Sequence, residues 1–249
     1  MNISLFDALN IKPYKMVSII GGGGKTSLMF SLAKELKNKG KKVAITTSTH
    51  IMRPSISDGI TDLLVTNPSK ETTMQAFENN SVVAFGNDCD GKIASPDMDF
   101  FEYVGDYADY VFVEADGSKR LPFKAPRENE PVYPPQNDYT IIVAGLSAVG
   151  CPINEKCHRS ELLSRIIDKN ITDILEAEDM AQVITSPLGQ LKDIKDTKRV
   201  ILVLNQADNE ERINIATEIA KIVFNKTGIK TVITALNSDN KIKKICVEA

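Results

Sequence analysis

The residues best suited to chemistry form one glycine-rich run, Gly21-Gly22-Gly23-Gly24-Lys25-Thr26-Ser27. A phosphate site needs converging backbone N–H groups, glycines that permit unusual backbone angles, and a helix N-terminus behind them. This run precedes a helical pattern and meets all three needs. Lys25 can reach the β and γ phosphates, and the Thr26 hydroxyl can bind Mg²⁺. The run therefore predicts a P-loop that binds ATP or GTP with Mg²⁺, because four glycines in a mere surface turn would be costly.

The spacing of this run departs from the common G-x-x-x-x-G-K-[ST] pattern, because Ile19 holds the position of the first glycine. As x-G-G-x-G-K-T, the run resembles the deviant P-loops of septum-site ATPases, partition ATPases and metal-insertion GTPases. The lysine with which those proteins activate a dimer partner would fall at Ile20. That trans-acting mechanism is therefore not expected here.

A second candidate group is an apolar strand, residues 110–113, that ends in Glu114, Asp116 and Gly117. Carboxylates at a strand end beside a P-loop hold Mg²⁺ or its waters. Glu114 is the preferred metal ligand or water-positioning residue, and Asp116 is the second choice. Acidic residues are also common in turns. Together with the P-loop, the pattern predicts Lys25, Glu114 and Asp116 as catalytic residues and Thr26 and Glu114 as metal ligands.

The segment Asn205-Gln206-Ala207-Asp208 follows an apolar run and resembles the N-K-x-D element of GTPases. In that element the aspartate accepts hydrogen bonds from guanine, which predicts Asn205 and Asp208 as nucleotide-binding residues. The alternative is that Asp208 caps the next helix. ATP and GTP both remain open.

Three further groups are weaker candidates. The hydroxyls of residues 46–49 can position water, metal or a second substrate, although strand propensity also explains them, and His50 is a structural or binding residue. Four cations near the acidic strand end can hold an anionic second substrate or can be a solvated loop; they are Lys119, Arg120, Lys124 and Arg127. His158 and Arg159 can bind the same ligand or flank a helix beginning near Ser160.

Short β-branched runs that alternate with helical patterns are typical of a parallel sheet covered by helices. Strands are expected at residues 16–20, 43–47, 82–85, 110–113, 140–144, 199–204 and 230–234. Residues 121–135 hold five prolines and predict a stiff, extended loop, part of a functional segment at about 117–137. We expect one α/β domain over 1–249, with the three-layer P-loop NTPase fold and a mainly parallel sheet.

Composition excludes several function classes. The 249 residues carry 30 Lys and Arg against 33 Asp and Glu, a net charge of −3, without a dense basic block, so a nucleic-acid partner is not expected. No apolar stretch approaches the roughly 20 residues that cross a bilayer, and residues 1–10 lack a signal-peptide pattern. We therefore expect no membrane partner and a cytoplasmic location. Four scattered cysteines suggest reduced thiols, and Cys151, Cys157 and His158 lack a familiar zinc spacing.

Several segments, in this order, resemble the YqeC family, which is described as selenium-dependent hydroxylase accessory proteins. They are Ile20-Gly-Gly-Gly-Gly-Lys-Thr, Thr46-Thr-Ser-Thr, Val113-Glu-Ala-Asp-Gly-Ser-Lys119, Leu121-Pro-Phe-Lys-Ala-Pro126, Glu130-Pro-Val-Tyr-Pro134, Cys157-His-Arg159 and Leu204-Asn-Gln-Ala-Asp208. The acidic strand followed by Lys-Ala-Pro and Glu-Pro-Val is far more specific than the P-loop. The sequence departs from the family pattern at Asn129, where histidine is usual, and at Gln206, where lysine is common.

The resemblance implies a nucleotide-dependent accessory factor that helps mature selenium-containing molybdenum hydroxylases. A client hydroxylase or another maturation factor is then the expected partner. Hydrolysis or phosphoryl transfer would drive the step. Two alternatives stay open: a module that binds a nucleotide or cofactor without turnover, and a small-molecule kinase on the same fold.

Overall fold

The computed structural model of the protein describes residues 3–54 and 59–246. Its strands are β1 (Met16–Gly21), β2 (Val43–Thr47), β3 (His50–Met52), β4 (Leu63–Thr66), β5 (Val82–Cys89), β6 (Lys92–Ala94), β7 (Tyr110–Glu114), β8 (Phe123–Lys124), β9 (Tyr139–Gly145), β10 (Cys157–His158), β11 (Val200–Asn205), β12 (Lys230–Thr234) and β13 (Ile242–Cys246). Its α-helices are α1 (Leu5–Ala8), α2 (Lys25–Asn38), α3 (Lys70–Asn79), α4 (Phe100–Tyr107), α5 (Ile153–Lys156), α6 (Ser160–Ile167), α7 (Ala177–Thr185) and α8 (Glu210–Thr227). Short 3₁₀ turns lie at Leu146–Ala148 and Thr197–Arg199.

The first compact unit consists of the described residues of Met1–Ile19, Thr26–Gly117 and Val132–Thr140. Its strand order is β1, β7, β2, β5, β6, β3, with β4 also paired to β5. The pairs among β1, β7, β2, β5 and β4 are parallel, and β6 pairs antiparallel with β5 and β3. Its core contains an aromatic cluster in which Phe85 contacts Phe77 and Phe100, with ring centroids 5.7 and 5.2 Å apart.

The second compact unit consists of Ile20–Lys25, Ser118–Pro131 and the described residues of Ile141–Ala249. Its strands lie in the order β9, β11, β12, β13, with β11 and β12 parallel and β13 antiparallel to β12. Helix α8 packs on β12 through a buried stripe, Ala216, Ile219, Ala220 and Val223, at helical spacing. It ends at Gly228, whose left-handed φ of 72° suits a glycine C-cap.

The seven predicted strands are confirmed, and so is the α/β architecture with a mainly parallel sheet flanked by helices. The strands β1, β2, β9 and β11 are buried along their whole length and mostly apolar, as expected where both faces of a sheet are covered. The predicted helix start near Ser160 is confirmed by α6. One domain over residues 1–249 stays a prediction.

The proline-rich segment contains one short strand. Inside it lies β8, which pairs in parallel with β10 through Phe123 opposite Cys157 and Lys124 opposite His158. The peptide bond between Glu130 and Pro131 is cis. The rest of residues 121–135 forms no helix or strand, and a functional role for the segment stays a prediction.

Candidate functional site

Glu114 lies at the carboxyl end of β7, between two neighbouring strands of the first unit. It pairs with Ile19 of β1 on one side and with Thr47 of β2 on the other. Parallel strands deliver their carboxyl ends to the same edge of a sheet. We call the group Thr47, Glu114 and Asp116 the acidic edge. Glu114 is 7% exposed and Asp116 is fully buried.

The two predicted metal ligands are in direct contact within the first unit. The Thr26 hydroxyl donates a hydrogen bond of 2.9 Å to Glu114 Oε2, although the residues are 88 positions apart. A hydroxyl and a carboxylate are the hard oxygen ligands that Mg²⁺ prefers, with water and phosphate oxygens completing an octahedron. The donor set therefore fits Mg²⁺.

The hydroxyls at the end of β2 and just after it donate hydrogen bonds to backbone carbonyls. Thr46 Oγ1 donates to Phe85 O at 3.0 Å, and Thr47 Oγ1 donates to Glu114 O at 2.8 Å. Ser48 Oγ donates to Val132 O at 2.5 Å. These contacts fix the acidic edge, so they favour a positioning role over direct contact with water or a second substrate. His50 is exposed at the start of β3.

The glycine loop, Ile20–Lys25, belongs to the second unit and is packed tightly against protein backbone. A Cβ on Gly21 would lie 2.1 Å from Val143 O, and one on Gly23 would lie 2.4 Å from Gly145 Cα. The φ angles of Gly21, Gly23 and Gly24 are 95°, 80° and 132°, where residues with a Cβ are disfavoured. Glycine is therefore required along the loop by both backbone angle and space.

Two N–H groups of the glycine loop donate hydrogen bonds to main-chain carbonyls. Gly22 N donates to Val143 O at 2.9 Å, and Gly23 N donates to Leu121 O at 3.2 Å. The Lys25 ammonium donates to Gly21 O at 2.7 Å, and the residue is only 3% exposed. Phosphate binding by the loop stays a prediction, for which the N–H groups of Gly24 and the residues after it are the suitable donors.

Asn205 at the end of β11 holds the glycine loop. Its Nδ2 donates to Gly23 O at 2.7 Å. Its Oδ1 accepts hydrogen bonds from Thr234 Oγ1 at 3.0 Å and from Leu236 N at 3.1 Å. This tether between the loop and the end of β12 was missed by sequence reasoning, which assigned Asn205 to the nucleotide. Its only sequence signal was a polar residue ending a buried apolar strand.

The predicted base-reading residues continue from this tether. Gln206 has a left-handed φ of 68°, and its Oε1 accepts from Ser147 Oγ at 2.6 Å. Asp208 is exposed and accepts from Arg212 at 3.1 Å. The alternative in which Asp208 caps α8 is wrong, because Asn209 is the N-cap and accepts from Arg212 N at 2.9 Å. Base reading by Asp208 stays a prediction.

Glu130 is the centre of a buried ion cluster in the second unit. It is 4% exposed and accepts from Arg159 at 2.5 and 2.7 Å and from Lys124 at 2.7 Å, while Arg127 lies 3.2 Å away. Burial by itself would raise the pKa of the Glu130 carboxyl, but hydrogen bonds and charges from Arg159 and Lys124 outweigh it and lower that pKa to about 2. We call Lys124, Arg127, Glu130 and Arg159 the Glu130 cluster.

This cluster corrects the prediction for one of the four loop cations, Lys124. The Lys124 side chain is completely buried and paired with Glu130, and Arg127 pairs with the same carboxylate. The charge of Lys124 is therefore used inside the protein, whereas the Arg127 side chain is 56% exposed and stays a candidate for binding an anionic second substrate. Lys119 and Arg120 are exposed. Arg159 precedes α6 with a φ of 60° and makes no side-chain cap, so its guanidinium serves the cluster.

The described residues hold neither a metal-binding group of side chains nor a membrane-spanning helix. Across residues 3–54 and 59–246, no three His, Cys, Asp or Glu side chains are grouped to hold a metal ion. Burial raises the pKa of the Cys157 thiol to about 12, which disfavours the thiolate that metals bind. Within the same residues, no helix is long and apolar enough to cross a membrane.

An α/β fold with a glycine-rich loop, a following lysine and an acidic strand end defines a P-loop protein. A sequence model for the family described as "YqeC protein" matches residues 17–161, so the chain belongs to the YqeC family. It is 26% identical over 210 residues to "Uncharacterized protein YqeC" of Escherichia coli K12, which covers 77% of this chain and 75% of that protein. The hydrogenase maturation factor HypB of Archaeoglobus fulgidus has a TM-score of 0.41 and 9% identity over 94% of this chain and 87% of its own.

Proposed function

We propose that the protein binds a nucleoside triphosphate with Mg²⁺ and acts as an accessory factor in the maturation of another enzyme. The observation that carries this proposal is the 2.9 Å contact between Thr26 and Glu114. It joins a residue of the P-loop motif to one of the acidic strand end, although the two motifs lie 88 positions apart in the sequence.

The residues have distinct roles in this proposal. Lys25 and the backbone N–H groups from Gly24 onward bind the β and γ phosphates. Thr26 and Glu114 bind Mg²⁺, which would neutralise charge on the phosphates. Asp116 orders water beside the metal, and Asn205 keeps the loop in its binding conformation. Asp208 reads the base, with ATP and GTP as the two candidates.

A thermal-shift panel of ATP, ADP, GTP and GDP, with and without Mg²⁺, tests the binding step. A ligand at about 100 times its Kd stabilises the folded state by about 2.7 kcal/mol, or roughly 5–10 °C for a chain of this size. Lys25→Ala should abolish the shift. Lys34→Ala, an exposed lysine of the same helix, should leave it intact. A wild-type chain with no shift for any nucleotide would refute the proposal.

Turnover is tested by phosphate release from ATP and GTP, with candidate acceptors added. If the protein hydrolyses the nucleotide, the wild type should release free phosphate, and the variants Lys25→Ala and Glu114→Gln should each release none. Transfer of labelled γ-phosphate to an acceptor would instead indicate a kinase. Tight binding without either product would indicate a non-hydrolysing module, the remaining alternative.

We further propose, from the family resemblance, that the client is a selenium-dependent molybdenum hydroxylase in the cytoplasm. Cells lacking this protein should then make the hydroxylase with less selenium, measurable by radioactive selenium in the purified client. Wild-type protein should restore the label, whereas Lys25→Ala should not. Full labelling in the deletion strain would contradict the assignment but not nucleotide binding.

A further inference from the structure

Two consecutive basic residues occupy a turn that favours glycine or asparagine. Leu121 N donates to Ser118 O at 2.9 Å, which closes a four-residue turn. The central residues Lys119 and Arg120 have φ angles of 50° and 63°, the pattern of a type I′ turn. Side chains with a Cβ are strained in this region. Both residues are exposed, so no packing of their side chains explains the choice.

The residues directly after this turn touch the glycine loop within the second unit. Leu121 O accepts the Gly23 N–H at 3.2 Å, and a Cβ on Gly23 would lie 2.6 Å from Pro122 O. A Cβ on Gly22 would lie only 2.8 Å from Leu121 O. Lys119 and Arg120 therefore lie two residues and one residue before Leu121, whose carbonyl is hydrogen-bonded to the glycine loop.

The base of the turn is held firmly. Residues Phe123 and Lys124 form β8 against β10. Gln190 Nε2 donates to Lys124 O at 2.6 Å, and Lys124 itself is held by Glu130 at 2.7 Å. Lys192 donates to the carbonyls of residues 127, 128 and 130. A rigid base fixes where the turn presents its side chains.

The turn also carries two cations that lack a carboxylate partner. The other cations of the segment, Lys124 and Arg127, share Glu130 with Arg159. Within residues 3–54 and 59–246, Lys119 and Arg120 have no ion pair with a carboxylate. Strain, rigidity and unneutralised charge thus coincide beside the glycine loop.

We propose that the Lys119–Arg120 turn binds the phosphate groups of the nucleotide held by the glycine loop, in cis. The planar guanidinium of Arg120 suits two hydrogen bonds to phosphate oxygens, and Lys119 adds a point charge. This inference rests on the proposed nucleotide function. It assigns these two cations to the nucleotide rather than to a separate second substrate.

The test separates strain from binding, using Lys119→Gly and Arg120→Gly. Glycine relieves the left-handed strain, so both variants should melt at a higher temperature than the wild type. Each should lose affinity for ATP or GTP, whichever the wild type binds, by about tenfold or more, as loss of a charge-assisted hydrogen bond to phosphate implies. Arg120→Lys should keep part of the affinity because it keeps the charge.

The matched control is Asp168→Gly, an exposed residue of the same unit with a φ of 55° at the end of α6. It should gain stability in the same way and keep wild-type affinity. Unchanged nucleotide affinity in both turn variants would overturn the inference while leaving the proposed function standing. The inference is also overturned if Asp168→Gly weakens nucleotide binding as much as Lys119→Gly and Arg120→Gly do. Failure of the wild type to bind any nucleotide would refute the proposed function itself.

Discussion

Glu114 is held in the first unit both through its side chain and through its main chain. Its side chain accepts the Thr26 hydroxyl, and its main-chain carbonyl accepts Thr47 Oγ1 and Ser48 N. The backbone contacts fix where the strand ends, so a change of the side chain need not move it. Glu114 is therefore suited to mutations that test charge alone.

We predict that Glu114→Gln weakens Mg²⁺-dependent nucleotide binding about tenfold, the order of one charge-assisted contact. Glutamine keeps the shape and can still accept from Thr26, but it removes the negative charge that attracts the metal. Titration calorimetry with and without Mg²⁺ measures the effect. Glu102→Gln, a change at an exposed residue of α4, is the control and should leave binding unchanged. If Glu114→Gln lowered the affinity equally with and without Mg²⁺, Glu114 would have no role in binding the metal.

The Glu130 cluster predicts a specific pH dependence of stability. Its carboxyl pKa is lowered from 4.5 to about 2, so the carboxylate stabilises the folded state above the unfolded pKa. This contribution, of about 3 kcal/mol, is lost as the pH falls from about 4.5 toward 2.

Urea unfolding of the wild type and Glu130→Gln at several pH values measures that loss. At neutral pH the variant should be less stable by about 3–5 kcal/mol, because it leaves Lys124 buried without its carboxylate. The gap should narrow through the stated pH window. Glu128→Gln, an exposed neighbour, should behave as the wild type, and a constant gap across the window would contradict the assigned pKa.

At the scale of elements, the glycine loop is shaped by its neighbours as much as by its own sequence. Backbone atoms of β9, carbonyls of the proline-rich segment and the Asn205 side chain all approach it within contact distance. The loop therefore has no room for side chains on the protein side. Its conformation depends on strands that lie far away in the sequence.

Gly23→Ala should consequently destabilise the protein by several kcal/mol, because the new Cβ would lie 2.4 Å from Gly145 Cα and 2.6 Å from Pro122 O. Gly150→Ala is the matched comparison, since Gly150 has a similar φ of 81° but open space around its Cβ. It should cost only about 1 kcal/mol for the left-handed backbone. Chemical denaturation measures both, and equal costs would show that crowding is unimportant.

For the whole molecule, the charge balance of −3 predicts no affinity for polynucleotides. Fluorescence polarisation with labelled single-stranded and duplex DNA and RNA should show no binding at physiological salt. A competition arm with ATP distinguishes the nucleotide site from a polynucleotide surface. Saturable, salt-sensitive binding would contradict the prediction.

The predictable part of the fold was its buried, parallel strands, because burial on both faces makes each an apolar run. The strands that were missed are short or lie at sheet edges, such as β4, which is half-buried throughout, and β13, which carries two adjacent lysines and no fully buried residue. Edge strands need fewer apolar residues. Their pairing was not readable from local pattern.

The candidate site divides in the same way. The contact between Thr26 and Glu114 was predictable, since each residue ends or begins an element with its own local signal. The Glu130 cluster was not, because Arg159 is 29 residues from Glu130 and both charges look like solvent-exposed loop residues in the sequence. Such pairings depend on the tertiary fold.

The anchored proline-rich segment has a consequence for limited digestion. Lys124 lies within a strand pair and is fully buried, whereas Lys119 and Arg120 stand on an exposed turn. Trypsin requires an accessible, locally opened peptide bond. Between these three sites, cleavage in the native protein should occur after Lys119 or Arg120 and spare the bond after Lys124. A nucleotide that contacts the turn should slow that first cut, so mass spectrometry of a timed digest reports on the segment directly.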